Sequence, residues 1–491
     1  MAASPFLRNT AAVLTAAVSG ILLLAIPAPD PAVASAPAGA RSFGWNRDAY
    51  WSNLEARFVA YADAGCSDAD SLVVRGIAAV DTALVRLDAR QLEPDAPTFD
   101  SLEHAFFELG PRVAACGAGV PDYAALQSRL RAAVKRQSRA WDMASGPART
   151  RIYQALYGSR AALEEVMLHH PGRAGDLLPG DTERSATPSI VIEGIRIHSG
   201  DMLVSRGGYP TSALIARGSD FPGNFSHVAL VHIDSATGVA SVIEAHIERG
   251  VAISTAEEYL RDKKRRILVL RPRSDLALIA ADPMLPHRAA SRMLSRARSE
   301  RIPYDFTMDY EDPSRLFCSE VASAAYREEG MTLWTGLSTI SAPGLRRWLA
   351  SFGVRQFETQ EPSDLEYDPQ LVVVAEWRDA GALAADHIDN AVIDVMLEGA
   401  ERGDELEYSA VRLPLARAAK GYSWVRNQFD GIGPIPQGMS ATSALRNAAF
   451  TARQRALAAD VTTRAAAWER EHGYPPPYWV LLELARGVDR E

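Results

Sequence analysis

The spacing of apolar residues changes twice along this chain, near Pro171 and Gly172 and again near Trp377. A period of 3.6 cannot be buried as a strand, nor a period of 2 as a helix, so these changes divide the chain. With 491 residues it has room for about three domains. Residues 43–172 read as a helical bundle. Stretches 51–61, 68–87, 99–109, 123–139 and 148–168 carry apolar residues at helical spacing, punctuated by Pro94, Pro97, Gly117, Pro121 and Gly146. No polar cluster in this region asks for chemistry. Residues 173–190 read as a linker. Short β-type runs follow at 190–197, 201–204, 226–233, 240–247 and 266–271, and 235–238 reads as a hairpin turn. A long Arg-bearing loop is expected at 205–220, helices at 286–297 and from 318 to about 329, and a last apolar run at 371–374. The pattern predicts an α+β domain over 190–380 and a helical C-terminal region over 381–491.

Residues 1–36 read as a secretory signal peptide. Arg8 gives a positive start, 11–26 is an apolar run of 16 residues, and small-residue A-x-A sites follow at 32–34, 34–36 and 38–40. The run is short for a bilayer span of about 20 residues, though an uncleaved anchor is the alternative. The expectation is an exported, periplasmic or extracellular bacterial protein with no stable transmembrane span. A net charge of −9 and pI near 5.7 argue against a nucleic-acid binder. No phosphate-cradling Gly-rich motif occurs, and no cofactor is expected. Three cysteines are too few for a disulfide-dense scaffold. Export allows one pair to form: a Cys66–Cys116 bridge would close a loop of about 50 residues, worth roughly 4 kcal/mol in the chain-entropy model. Cys318 is the odd one.

Cys318 stands directly before a helical run, where a helix N-terminus depresses a thiol pKa. Asp309, Glu311 and Asp312 oppose that in part. A thiol nucleophile needs a base, usually histidine. His227 is delivered by the loop 221–226 at a strand start, and His232, five residues on, points to the opposite face. Glu244 and His246 are two apart and share a strand face, so either can orient the base; Glu244 is favoured because a carboxylate also stabilises the imidazolium. His227, Glu244, His246 and Cys318 lack the tight spacing of a zinc motif, and no metal site is expected.

Gly200-Asp201-Met202-Leu203, Ser226-His227-Val228, Ile243-Glu244-Ala245, Pro303-Tyr304-Asp305-Phe306 and Phe317-Cys318-Ser319-Glu320 occur in that order. The set resembles the permuted papain-like cysteine amidases of the NlpC-type superfamily, the YiiX/YebB-like branch, over roughly 190–380. His-before-Cys reverses the order of ordinary papain-like chains. The resemblance implies a circularly permuted papain-like fold with Cys318 as nucleophile, His227 as base and Glu244 as third polar residue. It matches Tyr304 to the aromatic near the nucleophile, whose hydroxyl would help hold an oxyanion beside the Cys318 N–H; packing is the alternative role. Asp305 and Glu320 are expected to fix the loop and the helix start, and Gly200 and Asp201 to open a strand.

The leading expectation is an exported cysteine hydrolase that cleaves an amide bond through an acyl-enzyme. The resemblance implies a cell-wall (peptidoglycan) peptide or a small amidated or acylated molecule as substrate. Two alternatives stand beside it. The same triad would serve an acyltransferase or a lipid-ester hydrolase. A non-enzymatic cell-surface binding module would use the fold only as a scaffold.

Overall fold

The computed structural model describes residues 24–27, 32–45, 48–429 and 431–490. Arg8 and most of the apolar run expected to direct export lie outside the described residues. No described helix is long and apolar enough to cross a membrane.

Five helices open the described chain: α1 (Asp48–Ala64), α2 (Ala69–Asp88), α3 (Pro97–Cys116), α4 (Val120–Ser138) and α5 (Gly146–His169). Their ends follow local chemistry. Prolines occupy the first turns of α3, α4 and α5, where the missing N–H would be unpaired anyway. The Ser145 hydroxyl accepts the Ala148 N–H, and Gly117 at φ 66° ends α3 in the left-handed conformation that glycine adopts without strain. Cys66 and Cys116 are bridged, with Cα atoms 5.6 Å apart.

The sheet has seven strands, all antiparallel to their neighbours: β1 (Leu177–Pro179), β4 (Met202–Gly207), β5 (His227–Ile233), β6 (Ala240–His246), β7 (Gly250–Thr255), β8 (Lys264–Pro272) and β11 (Leu371–Arg378), ordered β1-β11-β8-β4-β5-β6-β7. Between them run β2 (Ser189–Ile192) and β3 (Ile195–His198), α6 (Pro210–Arg217), α7 (Ala256–Arg261), α8 (Ala277–Ala281), α9 (Leu285–Ser299), α10 (Cys318–Arg327), β9 (Ser338–Thr339), α11 (Pro343–Phe352) and β10 (Glu358–Thr359). The chain ends in α12 (Leu383–Arg402), α13 (Leu413–Asn427), α14 (Ala441–His472) and α15 (Tyr478–Asp489).

Three readings of the sequence need correction. The linker 173–190 supplies β1, which pairs with β11 at the sheet edge. The run 190–197 is not one strand: Glu193 and Gly194, both at positive φ, fold it into the separate β2–β3 hairpin. The expected loop 205–220 holds α6, whose Ala213 and Leu214 pack into the C-terminal core with Ile388, Val392 and Phe450.

One sheet face, with Val228, Leu230 and Ile243, packs on α9 and α10 through Met293, Val321 and Ala325. The other, with Ala229, Val231 and Val242, packs with Ile197 and Tyr259. The bundle is not merely apolar. Arg131 Nη1 donates to Glu376 Oε2 at 2.5 Å, Arg160 Nε to Glu376 Oε1 at 3.0 Å, and Arg266 Nη1 to Glu164 Oε1 at 2.6 Å. Arg266 also reaches Asp386 of α12 at 2.5 Å. A buried ionic network thus joins α4 and α5 to β8, β11 and α12. Helical periodicity marks an arginine on a core-facing position but not its partner hundreds of residues away.

Candidate active site

The residues singled out in the sequence converge on the start of β5. Ser226 N–H donates to the Ser205 carbonyl at 2.9 Å and the Ser363 hydroxyl bridges the Phe225 N–H and C=O at 3.0 Å each, fixing the turn that delivers His227. On β6, Glu244 lies across from Ala229, and continuing that register sets His246 across from His227, with ring centroids 5.9 Å apart. Ala229 is small, so the Glu244 carboxylate reaches past it. His227 Nε2 lies 2.8 Å from Glu244 Oε2; His246 Nε2 lies 3.3 Å from Oε1, and the Ser254 hydroxyl donates to Oε1 at 3.2 Å. Burial would raise the Glu244 pKa, but these donors and the two imidazoles hold it well below the ordinary range. The choice between Glu244 and His246 resolves into one cluster: the carboxylate sits between both rings.

An ionised Glu244 accepts, so Nε2 of His227 carries the proton and Nδ1 is the nitrogen with a free lone pair. Burial lowers the His227 pKa, partly offset by Glu244, so the ring is neutral at neutral pH. Ser254 was missed because β7 begins at Gly250 with a weak alternating pattern; its position across from Val242 is visible only once the register is known.

Cys318 begins α10. The Glu320 carboxyl accepts the Phe317 N–H at 2.7 Å and so fixes the helix start. Burial pushes the Glu320 pKa up to about 9, which removes a negative charge near the thiol at neutral pH. The Asp305 carboxylate accepts from Thr307 N, Thr307 Oγ1 and Asp309 N at 2.6–2.9 Å and shapes the loop after Tyr304. Leu316 N donates to Pro303 O at 3.1 Å and Asp305 N to Leu316 O at 3.3 Å, which clamps Tyr304 beside the residues preceding Cys318. Burial raises the Tyr304 phenol well above its ordinary value, and the nearby Cys318 adds to that.

The thiol itself corrects an expectation. Cys318 is 4% exposed and its pKa is pushed up to about 12 by burial. Desolvation of a thiolate outweighs both the helix N-terminus and the Val228 N–H that favours it. Sγ lies 3.9 Å from the Ser226 carbonyl. It therefore sits against the backbone on either side of His227, while the His227 ring is turned to Glu244; no hydrogen bond joins thiol and imidazole among the described residues. The alternation of β5 explains this. His227 shares its face with Ala229, whereas α10 packs beneath Val228 and Leu230. Glu361, buried and raised by desolvation, also bears on the thiol. Nothing in its sequence neighbourhood marks it.

Gly200 and Asp201 are structural. Gly200 stands at φ 96° where an added Cβ would fall 2.4 Å from the Cβ of Pro286, and Asp201 accepts Arg271 in a bidentate pair at 2.8 and 2.7 Å.

No curated protein and no solved structure matches the chain. Residues 196–375, from β3 to β11, match the model of the family described as permuted papain-like amidase enzyme, YaeF/YiiX, C92 family. That span holds all four singled-out residues, in the order His227, Glu244, Tyr304, Cys318. Residues 196–375 are a permuted papain-like domain of the C92 family, a family of cysteine amidases and peptidases.

Proposed function

We propose that this chain is an exported cysteine amidase that opens a peptide-type amide by way of a Cys318 acyl-enzyme. The observation that carries the reading is the placement of the Cys318 sulfur against the backbone flanking His227, with Glu244 holding that ring by Nε2. In the resting arrangement both the thiol and the imidazole are neutral. The reaction requires the His227 ring to turn from its resting side of β5 until Nδ1 meets the thiol; the proton passes to Nδ1 as sulfur bonds the carbonyl carbon. Glu244 then stabilises the imidazolium. The tetrahedral oxyanion is held by the Cys318 N–H, which lies in the first turn of α10, and by the Tyr304 hydroxyl. The imidazolium returns its proton to the leaving amine, and water, deprotonated by the same nitrogen, releases the acid.

The substrate class is a cell-wall peptide or a small amidated molecule, met outside the cytoplasm. The Cys66–Cys116 bridge supports an oxidising compartment. The test is turnover of a panel of amino-acyl and peptide amides by wild type and Cys318→Ala. Loss of turnover in a variant with unchanged circular dichroism and melting supports the reading. Full activity in that variant overturns it.

A further inference from the structure

A second cavity lies away from the thiol, where α1, α3, α5, α12 and α15 meet the loop 221–226. It holds about 330 Å³, within the range of small-molecule sites. Neither Cys318 nor His227 lines it. Its wall is aromatic. Three indoles, two from the start of the bundle and one from α15, form a ladder: Trp45 and Trp51 stack at 5.9 Å with 16° between planes, and Trp51 and Trp479 at 6.3 Å with 12°.

Among the described residues the charges on the lining do not balance. Asp394 is matched by a bidentate pair from Arg217 at 2.8 Å, and Glu164 by His387 at 3.2 Å and by Arg266 behind it. His169 is held neutral, its pKa pushed down to about 4 by burial and His170. Glu55 and Glu165 remain. Among the described residues Glu55 accepts from neutral donors, Trp479 Nε1 at 2.7 Å and Tyr474 Oη at 3.2 Å; Glu165 accepts the Tyr478 N–H at 3.0 Å. Neither forms an ion pair among the described residues; burial raises the Glu165 pKa, Glu164 and Glu55 add to that, and His387 opposes it.

An apolar ligand would satisfy the walls but leave both carboxylates unmatched. An anion would be set beside two carboxyl groups. We propose that this cavity binds an organic ammonium ion, its alkyl groups against the aromatic wall that the indole ladder builds and its charge matched to Glu165 and Glu55. Aromatic faces attract such cations through the ring quadrupole, most strongly for indole.

The test uses the purified protein with both helical regions present. Its tryptophan fluorescence is titrated with choline and, separately, with 3,3-dimethylbutan-1-ol, the uncharged isostere. The expected result is saturable quenching by choline with affinity at least about tenfold above that of the alcohol. Glu165→Gln and Trp51→Leu should each weaken choline about tenfold while leaving the far-ultraviolet circular dichroism unchanged. Equal affinity for the two compounds would show a merely apolar cavity and overturn the proposal. So would the absence of saturable choline binding to wild type, or an affinity unchanged in both folded variants. The wild-type comparison decides the matter even if a variant fails to fold, and none of these readouts depends on Cys318.

Discussion

At Cys318 two effects of opposite sign act on one proton. The helix N-terminus favours the thiolate by at most about 2 kcal/mol even when partly buried, whereas full desolvation moves a pKa by up to roughly 3–5 units. Burial wins, and the thiol rests protonated. Alkylation of Cys318 should therefore be slow at pH 7 and climb about tenfold per pH unit through pH 10, the thiolate being about one part in ten thousand at pH 8. A plateau near pH 8, read from iodoacetamide labelling followed by mass spectrometry, would contradict the buried, unpaired thiol. Replacing His227 with Ala should cost about 10²–10⁴ in kcat on any amide found to turn over, with KM little changed. Glu244→Gln bears on stability as well. Its folded pKa is depressed from 4.5, so its contribution is fully present above pH 4.5 and is lost as pH falls below. The melting-temperature gap between wild type and Glu244→Gln should be widest near neutrality and begin to narrow as pH falls below 4.5, without closing by pH 3. The sequence marks Cys318, His227 and Glu244 as candidates because the motifs are local. It does not mark their protonation, because burial is a property of the packed chain.

Elements were legible where a single period ran long enough. The five bundle helices and the strands at His227, Ala240 and Lys264 fall close to where periodicity puts them. The misses share a cause: each is short and is decided by partners. The three residues of β1 become a strand only because β11 offers an edge, and α6 is a helix because its apolar side meets α12. The loop between α6 and His227 is a second such case. A Cβ on Gly223 would fall 2.1 Å from Ser363 Oγ and 2.3 Å from its Cβ. Gly223→Ala should push the 221–226 turn off Ser363 and misplace His227. The expected outcome is a fall in kcat of ten-fold or more with a loss of roughly 1–3 kcal/mol in urea melts. Unchanged kcat would show that the turn does not position the base.

The whole molecule is bound by buried charge rather than by apolar contact alone. Arg160 is 1% exposed and reaches both Glu366 and Glu376. Arg160→Ala should cost about 3–5 kcal/mol, because it leaves two buried carboxylates short of a cation. Arg160→Lys should recover only part of that, since an ammonium cannot fork to both. Differential scanning calorimetry should show one cooperative transition for the intact protein, lowered as a unit by Arg160→Ala. A bundle that melts separately from residues 196–375 would refute this coupling.

The same pairs set an order on synthesis. Arg131 meets Glu376 across 245 residues. At about 5–20 residues per second the partner carboxylate leaves the ribosome roughly ten to fifty seconds after the arginine. Until then the leading bundle holds cations that nothing yet neutralises, so it cannot close its inner face while the rest of the chain is still being made. A chain whose first-made part waits on its last third stays open through synthesis, the condition in which a polypeptide can still be threaded through a narrow pore.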